Sequence, residues 1–457
     1  MNLMPNSVVA QFTRAEFSAG KRPPLYSLAG LGAISAGLTL VTPFAFRAGG
    51  DNAFIAPAVA ASLLALAATH VAERIPTARA LGLILGLGIA LRAYVLFFDP
   101  LLSSDIYRYV WDGKVQAAGI NPYRYFPAED VLAHLRDAAI FPQINRPDYA
   151  VTVYPPVAEF FFLIVTRIGE NVTTMRLGLL ACEATSVTLI ILFLRRLDLP
   201  ATRVVAYFWH PLPIWEIANN GHVDALAIAL MLLGLWVALT GRALRGAILI
   251  ALAMLVKPYV APVLAVIWRA WDWKIPLVVI AAIALCYLPY LSVGWGVFGF
   301  LTQGYLAEEG LTTGDKLWLL SVWRFVFGTT PGDVAAYAAV SGTILLFMAF
   351  SVACRRNRTL ASVLSDANML LLVALLLLSP NYPWYFLTIT PFLALCGNAP
   401  TWAVSIGALL LTNEVDGDFS ISLLTAKSIL NSGFLLACIW SARGRYLKQA
   451  TYAGRPQ

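Results

Sequence analysis

LGLILGLGIALRAYVLFFDPLLSSDIYRYVWDG, residues 81–113, sets the reading of the whole chain. Residues 79–98 form an apolar run long enough to cross the ~30 Å hydrocarbon of a bilayer as a helix. The run stops at Asp99-Pro100. Beyond it, Asp105, Arg108 and Asp112 recur at i, i+3 and i+7, which places them on one helical face, with Ile106, Val110 and Ala117 on the other. A greasy span therefore delivers the chain into a helix that is charged on one side and suits a membrane surface on the other.

Runs like 79–98 recur near 25–46, 53–72, 173–194, 204–219, 222–240, 275–292, 333–353, 363–380, 384–397, 401–413 and 421–441. They make an all-α polytopic membrane protein of about twelve transmembrane helices. Composition agrees: of 457 residues 59% are apolar and 12% charged, with a mean hydropathy of +0.73, whereas a soluble domain carries roughly 25% charged residues. The runs are continuous and do not alternate, which excludes an outer-membrane barrel. Cys182, Cys286, Cys354, Cys396 and Cys438 lie scattered in or beside these runs without CxxC spacing, so they read as small buried hydrophobes. No disulfide framework or zinc site is implied.

The net charge of +7 is an orientation signal. With the N-terminus inside, the inner connections hold 19 of the 32 Lys and Arg against 4 acidic residues, while the short outer connections hold only Arg47. The even span count returns the C-terminus to the cytoplasm, in a plasma (bacterial inner) membrane, and no nucleic-acid partner is expected. The first span is long and lacks a small-residue cleavage site, so no cleavable signal peptide is expected.

Two segments resist the simple count. Residues 246–268 are apolar but flanked by inner-type charge, with Lys257-Pro258 at their centre, and fit a re-entrant hairpin entering from the cytoplasm. Residues 154–168 contain Glu159 and Arg167, are too short to span, and read as an interfacial helix with Glu159 on its wet side. Residues 99–172 then form one external segment with 9 of the 25 carboxylates, expected to contain its own helices, and 293–332 form a second.

Within the first segment, Asp105-Ile106-Tyr107-Arg108-Tyr109 is followed by Asp112-Gly113, Gly119-Ile120-Asn121-Pro122-Tyr123 and Tyr154-Pro155-Pro156-Val157-Ala158. This series resembles the first external loop of GT-C glycosyltransferases, nearest to the bacterial polyprenol-phosphate-mannose transferases of glycosyltransferase family 87 and more distantly to the first mannosyltransferase of the GPI-anchor pathway. Looser matches follow at Asn220-Gly221-His222-Val223-Asp224, Lys257-Pro258 and Pro380-Asn381-Tyr382-Pro383-Trp384-Tyr385. The resemblance implies a GT-C-like fold, a polyprenyl-phosphate-sugar donor, a glycan or lipid acceptor, and Asp105 as catalytic base. It further implies substrate contacts at Asn121, Tyr123 and Tyr154. Many relatives carry two acids in the first motif, whereas Ser104-Asp105 leaves one, so no metal site is expected. Two further spans precede residue 79, giving three regions: 1–78, a catalytic module 79–400, and 401–457.

An inverting transfer needs a base for the acceptor hydroxyl and cations for the departing phosphate. It needs no nucleotide pocket or cofactor, in keeping with a chain that has no P-loop or Gly-rich fingerprint. Asp105 is the base candidate, and its bland alternative is a solvated acid paired with Arg108. Asp112 either orients the acceptor or sustains the Arg108 face. His222 and Asp224 begin a span, as substrate contacts or as helix caps. Lys257 sits in an apolar segment, open to phosphate binding or to pairing with Glu183 or Glu216. Lys316 and Arg324 are phosphate clamps or headgroup anchors, and Trp318, Trp323, Trp384 and Tyr385 read as an interfacial belt. Two other functions stay open. One is a secondary transporter or lipid-linked-glycan flippase, because Glu183, Glu216, Arg92 and Lys427 lie inside spans. The other is a cell-wall glycopolymer polymerase or ligase, which would use the same external residues.

Overall fold

The computed structural model describes residues 24–414 and 422–453, and every regular element among them is helical. Eight of these helices are long and apolar enough to cross a membrane. In chain order, α1 (Leu25–Gly50), α2 (Ala53–Ala72) and α3 (Ala78–Val95) come first. The external segment then contributes α4 (Asp105–Ala117) and α5 (Pro156–Thr166), followed by the long α6 (Val172–Arg196). Next come α7 (Pro213–Asn219), α8 (Asp224–Leu239), α9 (Ala243–Met254), α10 (Pro258–Ile267) and the long α11 (Lys274–Phe298). The remainder is α12 (Trp318–Phe327), the long α13 (Asp333–Ala353) and α14 (Leu360–Leu378), α15 (Pro383–Leu395), α16 (Ala399–Thr412) and the long α17 (Leu423–Arg443). Caps set several starts: Thr77, Asn171 and Asn398 each accept a backbone N–H from their first turn, and Thr359 forms a capping box with Ser362.

The other four expected spans take different forms. The 204–219 run is interrupted and ends in the π-type turn α7, and α8 leaves it at 114°, so the two make a bent pair that counts as a ninth span only if taken together. The bend sits at Asn219-Asn220-Gly221, where Gly221 has φ +73°. α15 and α16 are short, each opening on a proline in its first turn. The 246–268 segment is a hairpin. Its tip, Lys257, lies 3.2 Å from Asp224 at the start of α8, while its far end is tied to the end of α13 by Ala270 N–H donating to Ala353 O at 3.2 Å. α9 packs on α8 where Gly234 and Gly246 bring the two backbones together, as small residues do between helices in lipid.

Inside the bundle one buried ion pair joins α3 to α6. Arg92 on α3 donates to both carboxylate oxygens of Glu183 on α6, at 2.6 and 2.7 Å, and lies 3.9 Å over the Phe208 ring. Removing either partner would strand a buried charge, a loss of about 3–5 kcal/mol.

At the bend, a methyl group on Gly221 would stand 2.2 Å from Cδ1 of Ile106, the neighbour of Asp105. Gly221→Ala therefore combines a left-handed backbone with a clash and is expected to destabilise by about 2–5 kcal/mol. Gly241→Ala, also at positive φ but with open space around it, is the control and should lose only the backbone part. Thermal unfolding followed by tryptophan fluorescence separates the two; equal losses would mean that Ile106 yields freely.

Candidate active site

A cavity of about 610 Å³ opens where α4, the start of α5, the α9–α10 tip, residues 300–311 and the start of α15 converge. That volume suits a small-molecule ligand. Asp105, Arg108, Arg146, Lys257 and Glu309 supply its charge, and Tyr154, Tyr259, Tyr305, Tyr382, Trp384 and Tyr385 its aromatic wall.

Asp105 is placed by the bend. The side chains of Asn219 and Asn220 accept from Leu101 N–H at 3.0 and 3.1 Å, and Asn219 Nδ2 donates to the carbonyls of Val95 and Asp99, both at 3.1 Å. These bonds lace the exit of α3 to α7, so α4 begins at a fixed point. Asp105 N–H donates to Ser103 Oγ at 3.2 Å, and Oδ1 accepts from Asn145 Nδ2 at 2.8 Å. Among the described residues Oδ2 receives no hydrogen bond. A carboxylate held by one oxygen with the other open to a cavity can take a proton from a hydroxyl brought there.

The pair with Arg108, the alternative reading of Asp105, is not formed. Arg108 turns away along the helix to Asp112, Nε to Oδ1 at 2.8 Å, and its Nη1 donates to Ala150 O. Lys257 pairs with neither Glu183 nor Glu216 but with Asp224, whose other oxygen accepts from the Tyr259 hydroxyl. Glu183 is taken by Arg92, and Glu216 lies 3.3 Å from His222 and accepts from Asn220. The Lys257 ammonium lies 5.9 and 5.6 Å from the centres of the Tyr154 and Tyr385 rings, so the cation is held at the wall by one carboxylate and two aromatic faces.

The membrane-facing side expected for α4 is packed instead. Ile106 and Val110 are wholly buried, and Tyr109 stacks on Phe162 of α5 at 4.5 Å. Glu159 is likewise wholly buried rather than wet. The reason is partners: Thr152 Oγ1 donates to its Oε1 at 2.6 Å and Gln116 Nε2 to its Oε2 at 2.8 Å. Burial, then the charge of Asp112, pushes the Glu159 carboxyl well above the usual range, and burial also raises Asp112 despite Arg108. For a carboxyl raised in the folded state, stability is fully present below the ordinary glutamate range and is lost as pH climbs through the raised value. Wild-type melting temperature should fall over that alkaline-going window, and Glu159→Gln, uncharged throughout, should give a flatter profile; parallel profiles would show that Glu159 does not titrate there.

The remaining sequence candidates divide. Tyr154 lines the cavity; Asn121 and Tyr123 lie behind it. Asn121 Nδ2 donates to Tyr290 O and Ser292 Oγ, both at 3.0 Å, and Tyr123 hydroxyl donates to Tyr154 O at 2.6 Å, so this turn joins the external segment to the end of α11. His222 is wholly buried, stacked at 4.3 Å on Trp384, whose other neighbour Tyr382 also stacks at 4.3 Å. Trp384 and Tyr385 are therefore cavity wall, not a surface belt. Asp224 touches the cavity only through Lys257 and Tyr259. Lys316 and Arg324 lie outside it; Arg324 grips Asp333 at 2.8 and 2.9 Å and Asp315 at 3.0 Å, tying α12 to the start of α13. Asn145, Arg146, Tyr259, Tyr305 and Glu309 escape sequence reading. They sit in no motif, and only their neighbours in space mark them.

The chain thus supplies four of the five charged wall residues, Asp105, Arg108, Arg146 and Lys257, before residue 275. Over 186 residues, 40% of this chain, it is 27% identical to alpha-(1->6)-mannopyranosyltransferase A of Mycobacterium tuberculosis (strain ATCC 25618 / H37Rv). The match spans about a third of that relative's length, 35%. No solved structure matches the chain. The profile of the family described as alpha-(1->6)-mannopyranosyltransferase, N-terminal domain, matches residues 35–274, more than half of the sequence and the part that holds Asp105, Arg146, Tyr154 and Lys257, and the chain belongs to that family of glycosyltransferases.

Proposed function

We propose that the protein moves a hexose, mannose by analogy with its relative, from a polyprenyl phosphate to a glycan or lipid acceptor with inversion at the sugar. The single observation that carries this reading is one half-open carboxylate, Asp105, sharing a ligand-sized cavity with the cations Arg146 and Lys257. In the step envisaged, the acceptor oxygen bonds to C1 as its proton passes to Asp105, and the C1–O bond to phosphate breaks with its electron pair leaving on the phosphate. The donor phosphodiester carries one negative charge and the departing monoester up to two, so cations at the wall stabilise the transition state more than the bound donor. The hairpin of α9 and α10 is, on this reading, a re-entrant loop from the cytoplasm that lifts Lys257 to the outer face. The basic residues of the inner connections support the same orientation, with both termini inside and the cavity outside.

The test is incubation of the purified protein with a panel of polyprenyl-phosphate sugars and mass spectrometry of the products. Transfer from at least one, with release of polyprenyl phosphate, is expected; no transfer from any would remove the reading. For orientation, Ala138→Cys, in an exposed stretch of the first external segment, should react with an impermeant maleimide in intact cells. Labelling only after lysis would invert the topology.

A further inference from the structure

Three cations line the cavity, Arg108, Arg146 and Lys257, and each is tied to a carboxylate. Lys257 is paired with the buried Asp224 behind the wall and flanked by the Tyr154 and Tyr385 rings, whereas Arg146 is gripped by Glu308 of the second external segment, which likewise does not line the cavity. Arg146 Nε donates to Glu308 Oε2 at 2.6 Å, and the other oxygen of Glu308 accepts from the Tyr149 hydroxyl at 3.0 Å, so the carboxylate is fixed at both ends. Among the described residues the Nη groups of Arg146 have no hydrogen-bond partner within 3.5 Å, with the Tyr149 hydroxyl and the Tyr305 ring, 5.9 Å from Cζ, beside the guanidinium. A guanidinium offers an Nε side and an Nη1/Nη2 end, each able to hold two oxygens. With the Nε side engaged, the end fork is what stays available.

The backbone agrees with a held side chain. Arg146 has φ +54°, in the left-handed region, a strain of about 1–3 kcal/mol for a side-chain-bearing residue, and the surrounding structure must impose it. Its neighbour Asn145 is the residue that fixes Asp105, so one dipeptide carries both the partner of the base and a free cationic fork. Glu308 belongs to the second external segment, itself anchored by the Tyr305–Tyr385 hydroxyl contact at 2.5 Å and by Asn381 Nδ2 donating to Glu309 at 2.6 Å.

We propose that Glu308 is a positioning residue for donor binding, fixing Arg146 from outside the cavity so that its Nη fork receives the phosphate of the lipid donor. This rests on the polyprenyl-phosphate reading above. It makes the donor site a composite of both external segments, and it places the phosphate one residue along from the group that orients the base.

The test measures binding of farnesyl phosphate to the full chain in lipid nanodiscs. Arg146→Gln and Glu308→Gln should each weaken binding by about tenfold, and the double variant should bind no more weakly than Arg146→Gln alone, because Glu308 acts through Arg146. Additive losses would overturn the proposal. A second arm exchanges the charges, Arg146→Glu with Glu308→Arg. If Glu308 positions the fork, the exchange restores the tie between segments, read as recovered thermal stability, without restoring farnesyl phosphate binding; recovery of both would reduce Glu308 to a structural tie. Absence of saturable farnesyl phosphate binding in the wild type is a separate outcome, and it would remove the donor reading itself.

Discussion

Asp105→Asn is expected to lower the rate of sugar transfer by about 10²–10⁴-fold, the range lost with a general base. The amide keeps the shape of the carboxylate, and its oxygen still accepts from Asn145 Nδ2, which holds that side chain at 2.8 Å. Loop position and farnesyl phosphate affinity should therefore stay within about twofold of wild type, as expected when only proton acceptance is removed. Steady-state transfer from the donor that the panel identifies, together with the binding assay, separates the outcomes. Full activity would take the role of base from Asp105. An equal loss of binding and turnover would instead give it a part in holding the donor.

Lys257→Met should fail in two ways at once. Asp224 is wholly buried, and without the ammonium 3.2 Å away it keeps only the Tyr259 hydroxyl, so stability should fall by about 3–5 kcal/mol. Loss of a cation from the wall should also slow transfer by about 10²–10³-fold. The double variant Lys257→Met with Asp224→Asn removes both charges. It should recover most of the stability and none of the rate, because a neutral buried pair is tolerated while the phosphate still lacks its cation. Recovery of both would make Lys257 a structural partner and nothing more.

Much of this is legible in the sequence. Long apolar runs announce helices because lipid leaves the backbone no other way to satisfy its hydrogen bonds, and eight of the twelve expected runs are single long helices. The 204–219 and 222–240 runs misled because hydropathy does not register a π-type turn, nor a glycine at positive φ that bends the chain by 114°. Asp105, on the charged helix that follows an apolar span, and Lys257, at the centre of an apolar segment, are marked by the sequence, and both reach the cavity. Arg146 is not so marked, since an arginine in a polar loop is ordinary until Glu308, 162 residues later, fixes it. Glu159 reversed its expected face because Thr152 and Gln116 satisfy it, and partners brought by folding leave no periodic trace in sequence.

The helix α13 has none of its most apolar window buried against the protein. It is fastened at its two ends. Arg324 grips Asp333 and the Tyr337 hydroxyl donates to Leu377 O at one end, while Arg358 Nη2 donates to the Val352 and Ala353 carbonyls at the other. Between them Leu346 and Phe347 stand about 70% exposed. Met348 and Ala349 touch the core, and the rest of the helix behaves as a strut whose sideways support is the solvent around it, for which acyl chains give a firmer cushion than the loose interior of a micelle. Short-chain detergent should therefore soften this part of the molecule first, and rates measured there would describe a strut without its cushion rather than the enzyme in its bilayer.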